Sequence, residues 1–298
     1  MVTIGIPTYN GSKRIGRPIE SIWKQNYPNL EIIISDNCST DNTKEVIENI
    51  CKDHPEIRYV RQETNIKQMP NYDFVLRAAR GKYFMWLADD DFIEPDFVMR
   101  AVQFLEAHDD YSLASGKIQY WQEEKRDLLE GGFTFEQNSP STRVARFYSK
   151  VVYAGIIHGL IRTECVKDIT FFVVIGNDYH FVANLLFLGK VKNFDFTGYN
   201  KHFGGVSRDF RGYAKHMGES WLTGYFPHLK MAKDAFTEVF SRSVVFSRMP
   251  FLSRLGLAVR SWFGVVYCYY GRIFIGARVM NHFVTPVTAA VKKTPAKS

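Results

Sequence analysis

The feature that most constrains the fold is a regular alternation of short apolar runs with amphipathic stretches over the first third of the chain. Residues 2–6 and 30–34 form apolar runs with the length of buried strands, and each is followed by a segment with helical spacing. Further runs at residues 57–60 and 83–87 repeat the arrangement. Strands that alternate with helices predict a parallel sheet covered by helices on both faces.

The segments between these runs carry apolar residues three and four positions apart, which is typical of helices that pack on a sheet. These residues are Ile15, Ile19, Ile22 and Trp23, then Val46, Ile47 and Ile50, then Tyr72, Val75, Leu76 and Ala79, and finally Phe97, Val98, Ala101, Val102 and Leu105. The second of these helices is preceded by Asn42, with Glu45 three residues later, which predicts a capping box at its start.

Polar residues follow three of the predicted strands. They are Pro7-Thr8-Tyr9-Asn10, Asp36 and the run Asp89-Asp90-Asp91. In open parallel sheets, ligands bind beyond the carboxyl ends of the strands, so these segments are expected to meet in one crevice. Three adjacent carboxylates repel one another, which favours either a solvated turn or a site that holds a cation. No GxGxxG or GxxxxGK[ST] motif is present, which argues against dinucleotide-dependent dehydrogenases and P-loop nucleotidases.

Five segments in this order resemble the family 2 glycosyltransferases. They read PTYNG, ISDNCSTDNT, LADDDFIEP, GND at residues 176–178 and YNKH at residues 199–202, and the resemblance covers roughly residues 1–210. It implies a GT-A fold, which is an α/β fold with a Rossmann-like, mostly parallel sheet and helices on both faces. It also implies an inverting enzyme that uses a nucleotide-sugar donor.

The resemblance implies that the nucleotide binds to the first two segments and to the first acid of the run. Residues Pro7, Thr8, Tyr9 and Asn10 would line the base and ribose pocket. Asp36 would accept a hydrogen bond from N3–H of uracil or thymine, and Asp89 would hold the ribose. Many members read Asp-x-Asp-Asp, and this chain has Ala88 where the first acid stands, so the ribose contact is less secure than the metal contact.

The resemblance further implies a divalent metal, Mn²⁺ or Mg²⁺, bound by Asp90, with Asp91 and His202 as additional contacts. Oxygen ligands suit both ions, and a bound cation would relieve the repulsion within the acid run. A packed or exposed loop histidine is the alternative role for His202.

Asp178 is the candidate general base, which would deprotonate the acceptor hydroxyl. Asn177 stands where the family usually has Glu, and a structural alternative is that Asp178 only stabilises the start of the helix that ends at Gly189. His158 and Gly159 lie where related enzymes turn toward the acceptor. Residues 204–208 read as a loop that could close over the diphosphate, or as a plain surface loop.

The charge of the chain is strongly asymmetric. Residues 240–298 hold nine Lys or Arg and no Asp or Glu, whereas the first 239 residues hold 29 basic and 31 acidic residues. A helical projection of residues 259–283 places Arg260, Ser261, Gly264, Cys268 and Arg272 on one arc, and Trp262, Phe263, Val265, Val266 and Tyr269 opposite them. A basic arc facing an aromatic-aliphatic arc is typical of a helix that lies in a membrane interface.

These observations predict a catalytic domain over residues 1–215, a helical membrane-associating region over 216–284 and a disordered tail over 285–298. Four scattered cysteines without CxxC spacing indicate reduced thiols, and no signal peptide is predicted. We therefore expect a cytoplasmic enzyme on the inner face of the cell membrane. Residues 246–283 would make the contact with the membrane. Assembly into a homo-oligomer is a further possibility that the sequence leaves open. A helix packed on the catalytic domain or in an oligomer interface is the alternative for this segment.

The predicted function is transfer of a sugar, most simply from a UDP-sugar, to a hydroxyl of a membrane-associated saccharide, for example one linked to polyprenyl diphosphate. The first alternative is a non-catalytic GT-A-like protein that only binds nucleotide-sugars. A nucleotidyltransferase is disfavoured because the loop after the first strand, PTYNGSKR, is not rich in glycine. Nucleic acid is disfavoured as a partner because the tail has a wide apolar face.

Overall fold

The computed structural model describes residues 1–122, 125–130, 132–150, 154–202, 210–216 and 218–271. The strands are β1 Val2–Thr8, β2 Leu30–Asp36, β3 Ile57–Arg61, β4 Tyr83–Trp86, β5 Phe92–Ile93, β6 Tyr111–Gln122, β7 Lys125–Glu130, β8 Leu160–Arg162 and β9 Lys190–His202. The helices are α1 Gly16–Trp23, α2 Thr43–Asp53, α3 Gln68–Arg77, α4 Phe97–Ala107, α5 Pro140–Lys150, α6 Asn177–Leu188, α7 Phe210–His216, α8 Trp221–Tyr225, α9 Pro227–Thr237, α10 Val244–Ser247 and α11 Phe251–Val266.

Within these residues the strands form one sheet in the order β3-β2-β1-β4-β8-β6-β9-β5, with β7 paired to β6. The first four strands of the chain are parallel to one another, as the alternation of strands and helices predicts. The other half of the sheet is mixed, because β8 runs antiparallel to β4 and β6, and β5 runs antiparallel to β9. The parallel register pairs Thr8 with Asp36, so the polar segments after β1 and β2 start side by side.

The start of α2 departs from the predicted capping box. Asn42 makes no side-chain capping bond, and Asp41 does the capping instead, because its Oδ1 accepts a hydrogen bond from the Thr43 amide at 3.1 Å. The Thr43 hydroxyl is used elsewhere, since it accepts a hydrogen bond from the amide of Gly11 at 2.8 Å. The side-chain cap is therefore supplied one residue before the predicted position. The first residue of α2 also anchors the loop after β1.

Apolar side chains fill a layer on each face of the sheet. One layer lies under α1, α2 and α4, and the other lies under α3, α5, α6, α9 and α11. Trp86, at the end of β4, is 1% exposed and makes edge-on ring contacts with Phe84 at 4.9 Å and with Phe181 of α6 at 5.1 Å. Burial of such a large ring contributes about 3–5 kcal/mol to folding. The contact with Phe181 holds α6 against the sheet, and the first turn of α6 contains the candidate base.

The C-terminal helices α9 and α11 belong to the second layer, because Met231, Leu257 and Val265 are buried in it. The helical projection was wrong about the outward side of α11. Ser261, Gly264 and Cys268 lie on the predicted polar arc, yet they are buried. Small residues at this spacing allow α11 to approach α5 closely, and a Cβ on Gly264 would stand 3.2 Å from the Ser149 amide nitrogen.

Among the described residues, no helix is both long enough and apolar enough to cross a membrane. The predicted loop at 204–208, the part of the predicted interfacial helix at 272–283 and the predicted tail at 285–298 lie outside the described residues.

Gly116 provides a test of how tightly β6 and β9 approach. A Cβ at this position would stand 2.6 Å from the Gly198 amide nitrogen, so Gly116→Ala is expected to lower the free energy of unfolding by about 1–3 kcal/mol. Gly256→Ala is the matched control, since no atom lies within 4 Å of its Cβ position in α11. It should raise stability by about 0.5–1 kcal/mol. Urea unfolding of both variants checks the pair, and equal stabilities would contradict the close approach.

Candidate active site

The loop after β1 is tied to the loop after β2. The Asn10 amide donates to the Ser39 hydroxyl at 2.8 Å, and the Asn10 side-chain oxygen accepts from the Thr40 amide at 2.8 Å. Asn10 has a φ of 53°, a left-handed conformation that asparagine tolerates better than most residues. The sequence PTYN therefore forms a fixed turn at the carboxyl end of the sheet, as the sequence predicts for a crevice.

The four residues of this turn differ in exposure. Pro7 and Thr8 are buried within β1, whereas the Tyr9 side chain is 42% exposed and Asn10 is partly exposed. Only the second half of the turn presents side chains to a ligand. The first half supplies shape and, through the Thr8 hydroxyl, a contact to the acid run.

Asp36 is fully buried, and both of its oxygens accept hydrogen bonds from protein groups. Oδ1 accepts from the Ser39 amide at 2.8 Å, and Oδ2 accepts from Tyr59 Oη at 3.0 Å and from Arg61 Nη1 at 2.7 Å. In this conformation the carboxylate organises the floor of the crevice. A contact between Asp36 and a pyrimidine base stays a prediction, and it would require the groups that bury this carboxylate to move.

Asp89 accepts hydrogen bonds from two side chains, one at the end of β1 and one in the loop that follows β1. Thr8 donates its hydroxyl proton to Oδ2 at 2.5 Å, and Arg14 makes a two-point contact through Nε at 2.9 Å and Nη2 at 3.0 Å. The same guanidinium donates to the carbonyl oxygens of Tyr9 and Asn10, both at 3.0 Å. Arg14 thus links the PTYN turn to the acid run and neutralises one of its three charges.

Asp91 points into the protein and is 1% exposed. Its Oδ2 accepts from Tyr199 Oη at 2.7 Å, and its Oδ1 accepts from the His202 amide at 2.8 Å. Burial, with the adjacent Asp90, raises the pKa of Asp91 to about 7. The bonds to Asp91 tie the end of β9 to the acid run. They set the position of His202 relative to Asp90.

Asp90 is the most accessible acid of the run. Burial and the neighbouring Asp89 raise its pKa, and the charges of Arg14 and His202 oppose that rise. Among the described residues, no three His, Cys, Asp or Glu side chains are grouped so that they could hold a metal alone. Mg²⁺ usually binds to one or two carboxylates and completes its shell with water and substrate phosphates. Asp90, with the backbone amide of His202 bonded to the adjacent Asp91, fits a metal of that kind.

Asp178 lies in the first turn of α6, directly after Asn177 and the left-handed Gly176 (φ 75°). The Asp178 amide donates to the Asn177 side-chain oxygen at 2.9 Å. Burial raises the pKa of the Asp178 carboxyl, and the charge of Lys201 opposes that rise. A carboxylate with a raised pKa at a helix start is a better proton acceptor than an ordinary aspartate.

Lys201 connects the acid run with Asp178. Its charge lowers the pKa of both Asp91 and Asp178, so one ammonium group lies within electrostatic reach of both carboxylates. It also lowers the pKa of Glu130, at the end of β7, which burial raises. Lys201 Nζ lies 3.3 Å from His158 Nε2. Lys201 therefore links the two parts of the predicted site electrostatically.

His158 is buried and stacks on Tyr199, with ring centroids 4.4 Å apart. Burial and Lys201 hold its pKa well below the usual range, so the imidazole is neutral at pH 7. Gly159 has no room for a side chain, because a Cβ would stand 2.7 Å from the Ala114 carbonyl oxygen. Both residues lie beside the site, and their contact with an acceptor stays a prediction.

Sequence reasoning gave no role to Arg14, Arg61, Glu130 or Lys201. Lys201 is part of the YNKH segment that carries the family resemblance, and Arg14 follows the PTYNG segment by three residues, but their partners are remote in sequence. Arg14 reaches Asp89 across 75 positions, for example, and no local spacing signals such a contact.

The fold is that of GT-A glycosyltransferases, and comparison with known proteins identifies the family. The model of glycosyl transferase family 2 matches residues 3–163, more than half of the chain. The chain therefore belongs to glycosyl transferase family 2.

Three curated relatives illustrate the similarity. Chondroitin synthase of Escherichia coli is 39% identical over 99 residues, covering 33% of this chain and 14% of that protein. The GalNAc(5)-diNAcBac-PP-undecaprenol beta-1,3-glucosyltransferase of Campylobacter jejuni is 38% identical over 92 residues, covering 30% and 29%. The poly(ribitol-phosphate) beta-N-acetylglucosaminyltransferase TarS of Staphylococcus aureus is 26% identical over 185 residues, covering 60% and 29%. The chain thus spans less than a third of the length of each of these relatives.

Solved structures show the same fold at low sequence identity. Staphylococcus aureus TarS in complex with UDP-GlcNAc superposes with a TM-score of 0.64 at 18% identity, covering 90% of this chain and 73% of that chain. The mannosyltransferase PcManGT of Pyrobaculum calidifontis, in complex with GDP-Man and Mn²⁺, gives a TM-score of 0.54 at 15% identity, covering 91% and 87%.

Proposed function

We propose that this protein transfers a sugar from a nucleotide-diphosphate donor, a UDP-sugar, to an acceptor hydroxyl with inversion at the anomeric carbon. The observation that supports the proposal is that the charge of Lys201 acts on both Asp91 and Asp178, in a chain that belongs to glycosyl transferase family 2. A donor bound over the acid run would present its sugar to the side of the crevice where Asp178 lies. TarS and PcManGT, which have this fold, were solved with UDP-GlcNAc and GDP-Man.

The donor would lie across the PTYN turn and the loop after β2. Tyr9 and Asn10 offer exposed groups for the base and ribose, and Pro7 and Thr8 shape the turn beneath them. Asp36 acts through Arg61 and Ser39, which it holds in place. Asp89 would contact the ribose once Arg14 turns from it to the donor phosphates, for which a guanidinium is well suited.

Mn²⁺ or Mg²⁺ would be held by Asp90 and His202 together with the donor diphosphate. When bound, the cation neutralises the negative charge that develops on the leaving nucleoside diphosphate. We give Asp91 a positioning role in place of the predicted metal contact, because both of its oxygens already accept hydrogen bonds.

Asp178 would act as the general base. It would remove the proton from the acceptor hydroxyl while that oxygen forms a bond to the anomeric carbon and the bond to the diphosphate breaks. The charge of Lys201 lowers the pKa of Asp178 and so opposes the effect of burial, which favours the ionised form. His158 and Gly159 would form the wall on the acceptor side.

The acceptor is proposed to be a saccharide on a lipid carrier at the cytoplasmic face of the membrane. The Campylobacter relative is named for an undecaprenol-linked saccharide. The described part of the C-terminal region exposes large apolar side chains in the segment that is free of acidic residues, namely Val244 (58%), Phe251 (57%), Leu252 (78%), Phe263 (61%) and Tyr267 (54%). Such a surface fits a membrane interface.

A nucleotide-release assay tests this function against the non-catalytic alternative. The protein is incubated with UDP-, dTDP- and GDP-sugars, with Mg²⁺ or Mn²⁺ and with EDTA, and the free nucleotide is measured. We expect metal-dependent release from one UDP-sugar, and faster release when membrane extract supplies an acceptor. Tight binding of a donor with no release under either condition would favour the non-catalytic protein.

Arg14→Ala is expected to weaken donor binding about tenfold, which corresponds to about 1.4 kcal/mol. The change removes the cation that faces Asp89 and leaves that buried carboxylate without its two-point partner. Arg14→Lys should restore only part of the affinity, because lysine cannot bind in the same fork geometry. Calorimetric titration with UDP and Mn²⁺ measures the effect. Lys13→Ala removes the same charge from a neighbouring exposed position and serves as the control, and equal affinities for the two alanine variants would contradict the assignment.

A further inference from the structure

An open groove runs between α9 and α11 on the side of the protein that carries the exposed apolar residues. It has a volume of about 350 Å³ and is lined by Lys233, Phe236, Val259, Trp262 and Phe263. Val259, Trp262 and Phe263 are spaced three and four positions apart, so they form one face of α11. Four of the five lining side chains are apolar, and the volume lies within the range of small-ligand sites.

The surroundings of the groove are cationic. Lys233 is exposed at its rim, and Arg260, next to Val259, is also exposed. The nearest acid on α9, Asp234, is buried and paired with Lys230 at 2.5 Å and with Arg242 at 3.2 Å, so its charge is already neutralised. No Asp or Glu follows Glu238 in the chain. An apolar groove with positive charges at its rim is complementary to an amphiphile with an anionic head group. A neutral apolar ligand would make no electrostatic contact with the charged residues at the rim.

The groove also has a defined relation to the proposed base. From Phe263 the chain continues to the end of α11 at Val266 and then into a π-helical turn, Tyr267–Gly271, which contains Tyr269. Tyr269 Oη lies 3.1 Å from Tyr179 Oη, and Tyr179 directly follows Asp178. The helix that forms one wall of the groove is therefore connected to the start of α6 through this contact between Tyr269 and Tyr179.

We propose that this groove binds the hydrocarbon chain of an anionic lipid phosphate, with Lys233 contacting the phosphate. The assignment of that lipid as the carrier of the acceptor rests on the proposed function, whereas binding in the groove does not. The groove would hold the carrier on a helix that contacts α6, and the exposed side chains Leu252 and Tyr267 would remain in contact with the bilayer.

Direct binding of dodecyl phosphate below its micelle concentration tests the proposal without donor or turnover. Calorimetry on the full chain should show saturable binding of one molecule. Affinity should fall three- to fourfold for each methylene removed in a series from dodecyl to octyl phosphate. Inorganic phosphate should not bind measurably, and dodecyl maltoside should bind at least tenfold more weakly than dodecyl phosphate.

Variants locate the site. Val259→Asp and Phe263→Ser are each expected to weaken binding of dodecyl phosphate at least tenfold, and Lys233→Ala should weaken it several-fold while leaving the affinity for dodecyl maltoside unchanged. Leu252→Ser is the matched control, because Leu252 lies on the same helix, is 78% exposed and does not line the groove. Urea unfolding midpoints equal to wild type show that the variants are folded, as their exposed positions predict.

Three results would overturn the proposal. The first is an absence of saturable binding, which is also the result expected if residues 272–298 of the chain itself occupy the groove. The second is equal binding by the Val259 and Leu252 variants. The third is binding to anionic vesicles without any binding of monomeric dodecyl phosphate, which would reduce the surface to a general membrane contact. Failure of the transferase assay with successful lipid binding would instead contradict the proposed function alone.

Discussion

Asp178→Asn is expected to lower the rate of sugar transfer about 10²–10⁴-fold while donor affinity stays within twofold of wild type. Asparagine preserves the size of the side chain at the start of α6 but cannot accept the proton of the acceptor hydroxyl. The Asp178 amide keeps its hydrogen bond to Asn177, so the local backbone has no reason to change. Single-turnover transfer and calorimetric donor binding, measured on the same preparation, separate the two effects.

Asp195→Asn is the matched control for this substitution, since it makes the same chemical change at a side chain that is 95% exposed. It should transfer sugar at the wild-type rate. A loss of donor binding in Asp178→Asn that parallels the loss of rate would contradict the assignment and favour a structural role at the helix start.

The same residue sets the expected pH dependence. A general base is active when deprotonated, so the rate rises as pH increases through the pKa of Asp178. Burial raises that pKa, which moves the acidic limb of the profile above the usual range for aspartate. Lys201→Met removes the opposing charge, so the limb should move to still higher pH, and Asp178→Asn should abolish it. A limb that stays in place in Lys201→Met would contradict the electrostatic link between the two residues.

Asp90→Asn is expected to abolish the metal dependence of donor binding and to lower transfer about 10²–10³-fold. The reason is that Asp90 offers the most accessible carboxylate of the acid run, and the described residues provide no three-ligand cluster that could replace it. Titration of Mn²⁺ in the presence of UDP measures the loss directly.

Asp91→Asn is the comparison that separates the two acids. If Asp91 only positions His202 and Tyr199, this variant retains Mn²⁺ affinity close to wild type while its unfolding free energy falls. Equal loss of Mn²⁺ binding in the Asp90 and Asp91 variants would restore the role of Asp91 as a metal ligand that the sequence resemblance implies.

The parts of the structure that depend on local periodicity were predictable. The parallel half of the sheet, its helices and the position of α6 follow from apolar spacing, which depends on neighbours a few residues apart. The antiparallel strands β5 and β8 were not predicted, because they have only two and three residues and are defined by pairing with distant strands. The burial of Ser261, Gly264 and Cys268 was misjudged for a related reason. A helical projection records polarity, whereas close helix contact selects small side chains.

The candidate site was likewise predictable only where it depends on local sequence. Segments at the ends of β1, β2 and β4 were expected to converge, and hydrogen bonds from Thr8 to Asp89 and from Asn10 to Ser39 join the first segment to each of the other two. What each carboxylate does inside the crevice depends on partners that are far away in sequence. Arg14, Arg61 and Tyr199 decide which oxygens of Asp89, Asp36 and Asp91 remain for a ligand, and no motif of the chain encodes those pairings.

The central claim is a single displacement at the anomeric carbon, with Asp178 as the base. The most direct test is the anomeric configuration of the product, determined by proton NMR on sugar transferred from an α-linked UDP-sugar. A single displacement yields a β-linked product, and we expect Asp178→Asn not to form it at a measurable rate. An α-linked product would require a second displacement or a different mechanism, and it would contradict the role given to Asp178.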